Sequence, residues 1–383
     1  MRRICVVVTA RPTYSRIRTA LLAVQAHPAL ELELVVAGSA LLERYGRAVD
    51  VIEADGLQVT SRVSMVLEGE DPTAMAKTTG LGILELATVF ENLRPDAVVT
   101  VADRYETMAT AVAASYQNIP LVHVQGGEVS GSIDEKVRHA VTKLADLHLV
   151  ATEGSAERVR RMGEDPAAVL VTGCPSIDLA AEVRDRSALD FDPQERYGGV
   201  GTDLRLDDGY VVVLQHPVTT EHGEARQQIT EALEAVAACG LPALWFWPNV
   251  DAGSDGTSNG IRSFREQHEH LPIRFFKNMA PTDFLRLLVN SRALLGNSSV
   301  GIRECSFLGV PTVNVGGRQR DRERGPNVLD VGYGRDEVAA GLTRQVEHGP
   351  YPGTDLYGDG KAGERIADAL AVAPLGIDKR ITY

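Results

Sequence analysis

The stretch Ile4-Cys5-Val6-Val7-Val8-Thr9-Ala10-Arg11-Pro12-Thr13-Tyr14-Ser15 decides the fold. An unbroken β-favouring apolar run that stops abruptly at a turn reads as a strand buried on both faces, the kind found in parallel sheets covered by helices. Met1-Arg2-Arg3 ahead of it imitates a signal peptide, but Arg11 interrupts the run too early and no small-residue cleavage site follows, so a cytoplasmic first strand is expected. The turn lacks the spaced glycines that let a backbone approach a dinucleotide pyrophosphate, so neither a nicotinamide nor a flavin is expected, and no cofactor is implied. Arg11 beside a helix start suits a phosphate, while an ordinary surface arginine also explains it.

Outward from this stretch, apolar β-rich runs alternate with segments of helical periodicity. Strands are expected over residues 4–9, 32–37, 97–101, 120–124, 147–151 and 169–172, with helices over 73–93, 107–115 and 157–162. Gly173-Cys174-Pro175 breaks the chain, and a Gly- and Asp-rich loop spans 198–209. The pattern then restarts, with strands over 210–214, 243–247, 273–276, 293–295 and 312–315 and helices over 225–238, 281–290, 300–308 and 362–372. The repeated alternation predicts an α/β protein of two doubly wound Rossmann-like domains facing across a cleft, residues 1–173 and 174–361, with ligands at the carboxyl ends of the strands.

Composition narrows the function classes. A chain of 383 residues exceeds what one core usually supports, and 44% hydrophobic with 24% charged residues is ordinary globular usage. No apolar run reaches the roughly 20 residues of a membrane span, so no membrane partner is expected. A formal charge of -13 argues against a nucleic-acid partner, which would need a basic surface. Cys5, Cys174, Cys239 and Cys305 are too scattered for a zinc site or a disulfide framework.

The residues able to do chemistry fall in turns that follow strands. Asp103-Arg104 after residues 97–101 is an acidic-basic pair, although a helix N-cap by Asp103 explains it equally well. The next strand delivers His123-Val124-Gln125-Gly126-Gly127-Glu128 and then Asp134, Glu135, Arg138 and His139, where small residues leave room for a ligand and carboxylates, histidines and an arginine converge. In the second half, Gln215-His216-Pro217 puts a histidine at a strand end. Gly296-Asn297-Ser298-Ser299 is read as a small-residue turn opening a helix, suited to a pyrophosphate, with Glu304 one turn on to accept ribose hydroxyls and Gly317-Arg318-Gln319 clamping the same diphosphate. No metal-ligand spacing is present, so no metal is expected.

Taken in order, these motifs, with the first-strand arginine turn, Pro248-Asn249-Val250-Asp251 and Tyr357-Gly358-Asp359-Gly360, resemble the UDP-N-acetylglucosamine 2-epimerases over nearly the whole chain. The likeness is greatest to the hydrolysing kind that begins sialic acid biosynthesis, as in the epimerase half of the bifunctional animal epimerase/kinase. That resemblance implies a GT-B-like fold, a final helix (about 362–383) returning to the first domain, and a homodimer or homotetramer. It implies a UDP-sugar substrate that loses UDP from C1 and a proton from C2, giving 2-acetamidoglucal, to which water adds, so that N-acetylmannosamine and UDP are released. By position it makes Asp103, Glu128 and Asp134 acid-base candidates without dividing the roles, and His216 a stabiliser of the departing phosphate. Arg11, Ser15, Arg104, Gln125, Arg138, Asn249, Ser298, Ser299, Glu304 and Arg318 become substrate contacts. Gln125 departs from the glutamate of several relatives, and an amide accepts no proton at neutral pH. Pro12-Thr13 replaces the usual Ala-Asp. A non-hydrolysing epimerase, a hydrolysing enzyme for a UDP-2,4-diacetamido sugar, a glycosyltransferase and an inactive nucleotide-sugar sensor are the competing readings.

Overall fold

The computed structural model describes residues 1–383 apart from 68, 70, 103, 131, 132, 249–252 and 383. Asp103 and Asn249, two of the expected site residues, lie outside the described residues. The chain divides into two compact units, one comprising Met1–Val129, Ile133–Leu179 and Tyr357–Tyr383, the other built mainly from Ala180–Leu356. The divisions fall a few residues from the expected 173/174 and 361/362, because the first turns of helix Pro175–Asp185 pack with the C-terminal segment. There Asp178 accepts from the N–H groups of Ala362 and Gly363 at 2.8 and 2.7 Å, capping helix Ala362–Val372.

The first unit is a sheet of strands β1 (Arg2–Val8), β2 (Leu30–Ala37), β3 (Val59–Val63), β4 (Ala97–Val101), β5 (Leu121–Val124), β6 (Leu147–Val150) and β7 (Val169–Val171), all parallel, in the order β3-β2-β1-β4-β5-β6-β7. The pleat sends alternate side chains of β1 to opposite cores. Ile4, Val6 and Val8 join Ile17, Leu21, Ile366 and Leu370, whereas Cys5 and Val7 join Leu86, Phe90 and Val141. Ile4 stands opposite both Leu32 of β2 and Ala97 of β4, so the winding reverses between β1 and β4. Carboxyl-end loops diverge at such a reversal and leave room for a ligand.

The second unit contains β8 (Val200–Gly201), β9 (Val211–Leu214), β10 (Ala243–Phe246), β11 (Ile273–Phe276), β12 (Ala293–Gly296), β13 (Thr312–Val315) and β14 (Val328–Val331). Their order is β14-β13-β12-β9-β10-β11-β8, parallel except for β8, which runs antiparallel to β11. Here the winding reverses between β9 and β12. Trp245, Phe275, Leu295 and Val313 fill the core against helix Ala225–Cys239. The expected helix from residue 300 is shorter: Ser298–Arg303 is a turn closed by Gly301 N–H on Ser298 O and Arg303 N–H on Ser299 O, and the helix is Glu304–Leu308. Among the described residues no helix is long and apolar enough to cross a membrane.

Candidate active site

In the second unit the reversal point is tied by one amide. Asn297, fully buried after β12, accepts from the backbone N–H of His216 at 2.8 Å and donates to the His216 carbonyl at 2.8 Å, clipping the ends of β9 and β12 together. The Asn297 carbonyl accepts from Arg318 Nη1 at 3.1 Å and Gln319 Nε2 at 2.8 Å, which adds the loop after β13. Gly296 makes the approach possible: at φ +141° a Cβ there would sit 2.2 Å from the Leu214 carbonyl oxygen. His216, Ser298, Ser299 and Arg318 are thus all fixed around one buried residue that sequence reasoning quoted but gave no role.

The donors facing an anion differ from expectation. Gly301, Ile302 and Arg303 spend their N–H groups inside the turn, and the five-residue helix behind it is too short to supply a useful dipole, which leaves the hydroxyls of Ser298 and Ser299 and the Arg318 guanidinium as the side-chain donors nearby. Glu304 is not one turn on but the first helical residue. Its carboxylate is buried and its Oε2 has no hydrogen-bond partner among the described residues, an acceptor suited to a hydroxyl donor.

In the first unit Arg11 opens helix Arg11–Ala26 directly after β1. Its guanidinium is partly buried, and removal from water pulls it down to about 10, so it stays charged at neutral pH with no carboxylate in the first turn. Ser15 donates back to the Arg11 carbonyl at 3.2 Å. Arg104 is held by Glu106, with contacts of 3.2 and 3.1 Å, and Glu106 is fully buried. Glu106 occupies the N-cap of helix Thr107–Tyr116 without a side-chain capping bond.

Much of the dense cluster after β5 is buried packing. His123 lies fully buried within the strand, below the loop. Gly126 and Gly127 serve packing rather than ligand space: a Cβ would meet His123 Nδ1 at 2.8 Å in the first case and the Ser155 carbonyl at 2.4 Å in the second. Arg138, fully buried, donates to the Glu128 carbonyl and to Glu135 Oε2, both at 2.8 Å, so Glu135 is a carboxylate partner. It thereby docks the loop bearing Glu128 on helix Ile133–Leu144, whose first turn carries Asp134. Gln125 is buried at φ +65°, donates from Nε2 to Cys174 Sγ at 2.9 Å and leaves Oε1 without a partner among the described residues. Cys174, Thr142 and Glu106 support the loops after β4 and β5 and had no sequence signal beyond their neighbourhood.

This arrangement has known counterparts. The family model described as UDP-N-acetylglucosamine 2-epimerase matches residues 22–371. The chain is 34% identical to a Legionella pneumophila UDP-N,N'-diacetylbacillosamine 2-epimerase (hydrolyzing), over 98% of this chain and 97% of that one. The chain belongs to the UDP-N-acetylglucosamine 2-epimerase family. It is therefore an enzyme of that family. It is also 28% identical to the UDP-N-acetylglucosamine 2-epimerase of Neisseria meningitidis, over 97% and 95% of the two chains, and 30% identical to polysialic acid biosynthesis protein P7 of Escherichia coli, over 89% and 85%. The GT-B-like fold recurs in the UDP-GlcNAc 2-epimerase of Methanocaldococcus jannaschii in complex with UDP-GlcNAc and UDP, at a TM-score of 0.80 and 17% identity over 96% and 99% of the chains. The Neisseria meningitidis enzyme bound to UDP-GlcNAc gives 0.77 at 19% identity over the same shares.

Proposed function

We propose that this member of the family is a hydrolysing 2-epimerase of a UDP-linked 2-acetamido sugar, converting UDP-N-acetylglucosamine and water into N-acetylmannosamine and UDP, in the cytoplasm and as a homodimer or homotetramer. The observation that carries the hydrolysing reading is the 34% identity, nearly end to end, with a relative named as hydrolyzing. The geometry supports the division of labour. Residues at the β9/β12 reversal (His216, Ser298, Ser299, Arg318) stabilise the diphosphate as it departs, and Glu304 receives ribose hydroxyls. Arg11, Ser15 and Arg104 add contacts from the first unit, and Asn249 is assigned to the substrate by its motif alone.

The chemistry needs a base to take the C2 proton as UDP leaves C1, and a donor on the opposite face to return a proton to C2 as water adds at C1. Asp103, Glu128 and Asp134 are the groups able to do this, and Gln125 is not, since its amide neither ionises nor reaches beyond Cys174. A second reading, hydrolysis of UDP-N,N'-diacetylbacillosamine, is favoured by the name of that same relative. Incubation with each UDP-sugar separately, with chromatographic resolution of UDP, free sugar and UDP-sugar epimer, tests both. Free 2-epimer with stoichiometric UDP from one of them supports the hydrolysing reading and names the sugar; accumulation of a UDP-linked 2-epimer sinks it.

A further inference from the structure

The carboxyl ends of β4 and β5 each finish on a non-glycine residue in the left-handed region, Ala102 at φ +64° and Gln125 at φ +65°. Such a conformation costs an alanine about 1 kcal/mol or more and persists only where the surroundings hold it. Ala102 donates its N–H to the Val124 carbonyl at 2.8 Å, and its carbonyl is held by His123. Its imidazole, fully buried, meets the Ala102 carbonyl with Nε2 at 2.8 Å and the Thr142 hydroxyl with Nδ1 at 3.1 Å. A carbonyl only accepts, so Nε2 carries the proton; in the neutral ring Nδ1 then accepts, and Thr142 donates to it.

The two ends of this bridge lead to different parts of the acid-base cluster. Ala102 is the residue immediately before Asp103 in the chain. Thr142 sits on helix Ile133–Leu144, whose first turn bears Asp134 and whose Arg138, one turn before Thr142, grips the Glu128 carbonyl. Gly126 closes over the pair, since a Cβ there would stand 2.8 Å from Nδ1 and 3.0 Å from the Thr142 hydroxyl oxygen. We infer that His123 is a positioning residue: through the Ala102 carbonyl and Thr142 it sets the spacing between the strand end that leads into Asp103 and the helix that carries Asp134 and anchors the Glu128 loop. It touches no substrate. The inference rests on the proposed roles of those carboxylates, but the bridge itself is independent of them.

The test compares wild type with His123→Leu, His123→Gln and Thr142→Val. The glutamine amide nitrogen falls near the position of Nε2 and keeps a donor for Ala102, whereas the valine removes only the hydroxyl. Expected for Thr142→Val and His123→Leu is a fall in kcat of about 10- to 100-fold, the scale of a catalytic group displaced by about 1 Å. KM and UDP affinity stay near wild type, with most of the rate recovered in His123→Gln. Loss of activity that follows only the folded fraction, or an equal fall for leucine and glutamine, overturns the inference. Crystal structures of the Thr142→Val and His123→Gln proteins give an arm that needs no activity. With Thr142→Val, Ala102 is expected to leave the left-handed region or the β4 end to shift against the helix. An Ala102 unchanged in every variant contradicts the positioning role even if wild type turns over no UDP-sugar, an outcome that by itself would sink only the proposed reaction.

Discussion

The two sheets reverse their winding in equivalent places, β1/β4 and β9/β12, yet the chain builds the two reversals from different materials. The second-unit reversal rests on a glycine with no room for a side chain and a neutral amide making paired backbone contacts, with the half-buried Ser298 and Arg318 beside it. The first-unit side rests on strained non-glycine residues, buried ion pairs and a buried imidazole. A scaffold tied by a glycine and an amide suits holding an anion in one place. Strain and charge suit groups whose proton affinity must differ from one neighbour to the next.

If that contrast is right, substitutions on the two sides should fail differently. Asp103→Asn and Asp134→Asn are expected to lower kcat by about 10²- to 10⁴-fold, the usual worth of positioned acid-base groups, while UDP still binds as measured by calorimetry. Near-normal turnover in both would erase the chemical half of the comparison. Gly296→Ala attacks the scaffold half: a Cβ 2.2 Å from the Leu214 carbonyl forces β9 and β12 apart. A loss of about 3 kcal/mol in denaturant unfolding is expected from overpacking together with a strained φ. An unchanged midpoint would mean that the close approach is not needed. Arg318→Ala should weaken UDP by about 10- to 50-fold, the scale of a lost charge-assisted hydrogen bond, with kcat at saturation changed less. A kcat collapse with UDP affinity intact would place Arg318 on the chemical side instead.

The smallest expected effect concerns a charged cluster away from both reversals. Burial opposes ionisation of Glu164, but hydrogen bonds from His148, Lys143 and Lys379 outweigh it and hold the carboxyl at about 2, below its ordinary 4.5. That stabilisation is present in full above about pH 4.5 and fades as pH falls toward 2. Burial lowers His148 despite the Glu164 contact, so its contribution also belongs to the neutral form and is lost as pH drops below its ordinary 6.5. Glu164→Gln should therefore lower Tm by a few degrees at pH 7, with the gap to wild type closing as the pH is taken below 4.5. A gap that stays constant would show that Glu164 is not stabilised as an anion.

The doubly wound pattern was legible because the central strands are continuous apolar runs. Residues 97–101, 273–276 and 312–315 are strands with the expected ends. The missed strands are edges or stubs: Val59–Val63 alternates half-exposed with exposed residues until the buried Val63, Val328–Val331 is nowhere fully buried and Val200–Gly201 spans two residues. The second-unit site was read from its small residues and arginines, but Asn297 was not, because paired bonds to the His216 backbone follow from a strand order that no local pattern encodes. His123 and the two glycines after β5 were taken for ligand-facing groups for the same reason. Only the packing of helices Ile133–Leu144 and Glu153–Arg161 against that loop makes them structural.

The central claim, elimination across C1 and C2 followed by addition of water, is tested most directly by proton NMR of the enzyme with UDP-N-acetylglucosamine, and in parallel with UDP-N,N'-diacetylbacillosamine, in deuterated water. The account predicts a free 2-epimer carrying deuterium at C2, released together with UDP, from one of the two substrates. A free product that keeps its C2 proton, or a UDP-linked 2-epimer as the stable product, would contradict it.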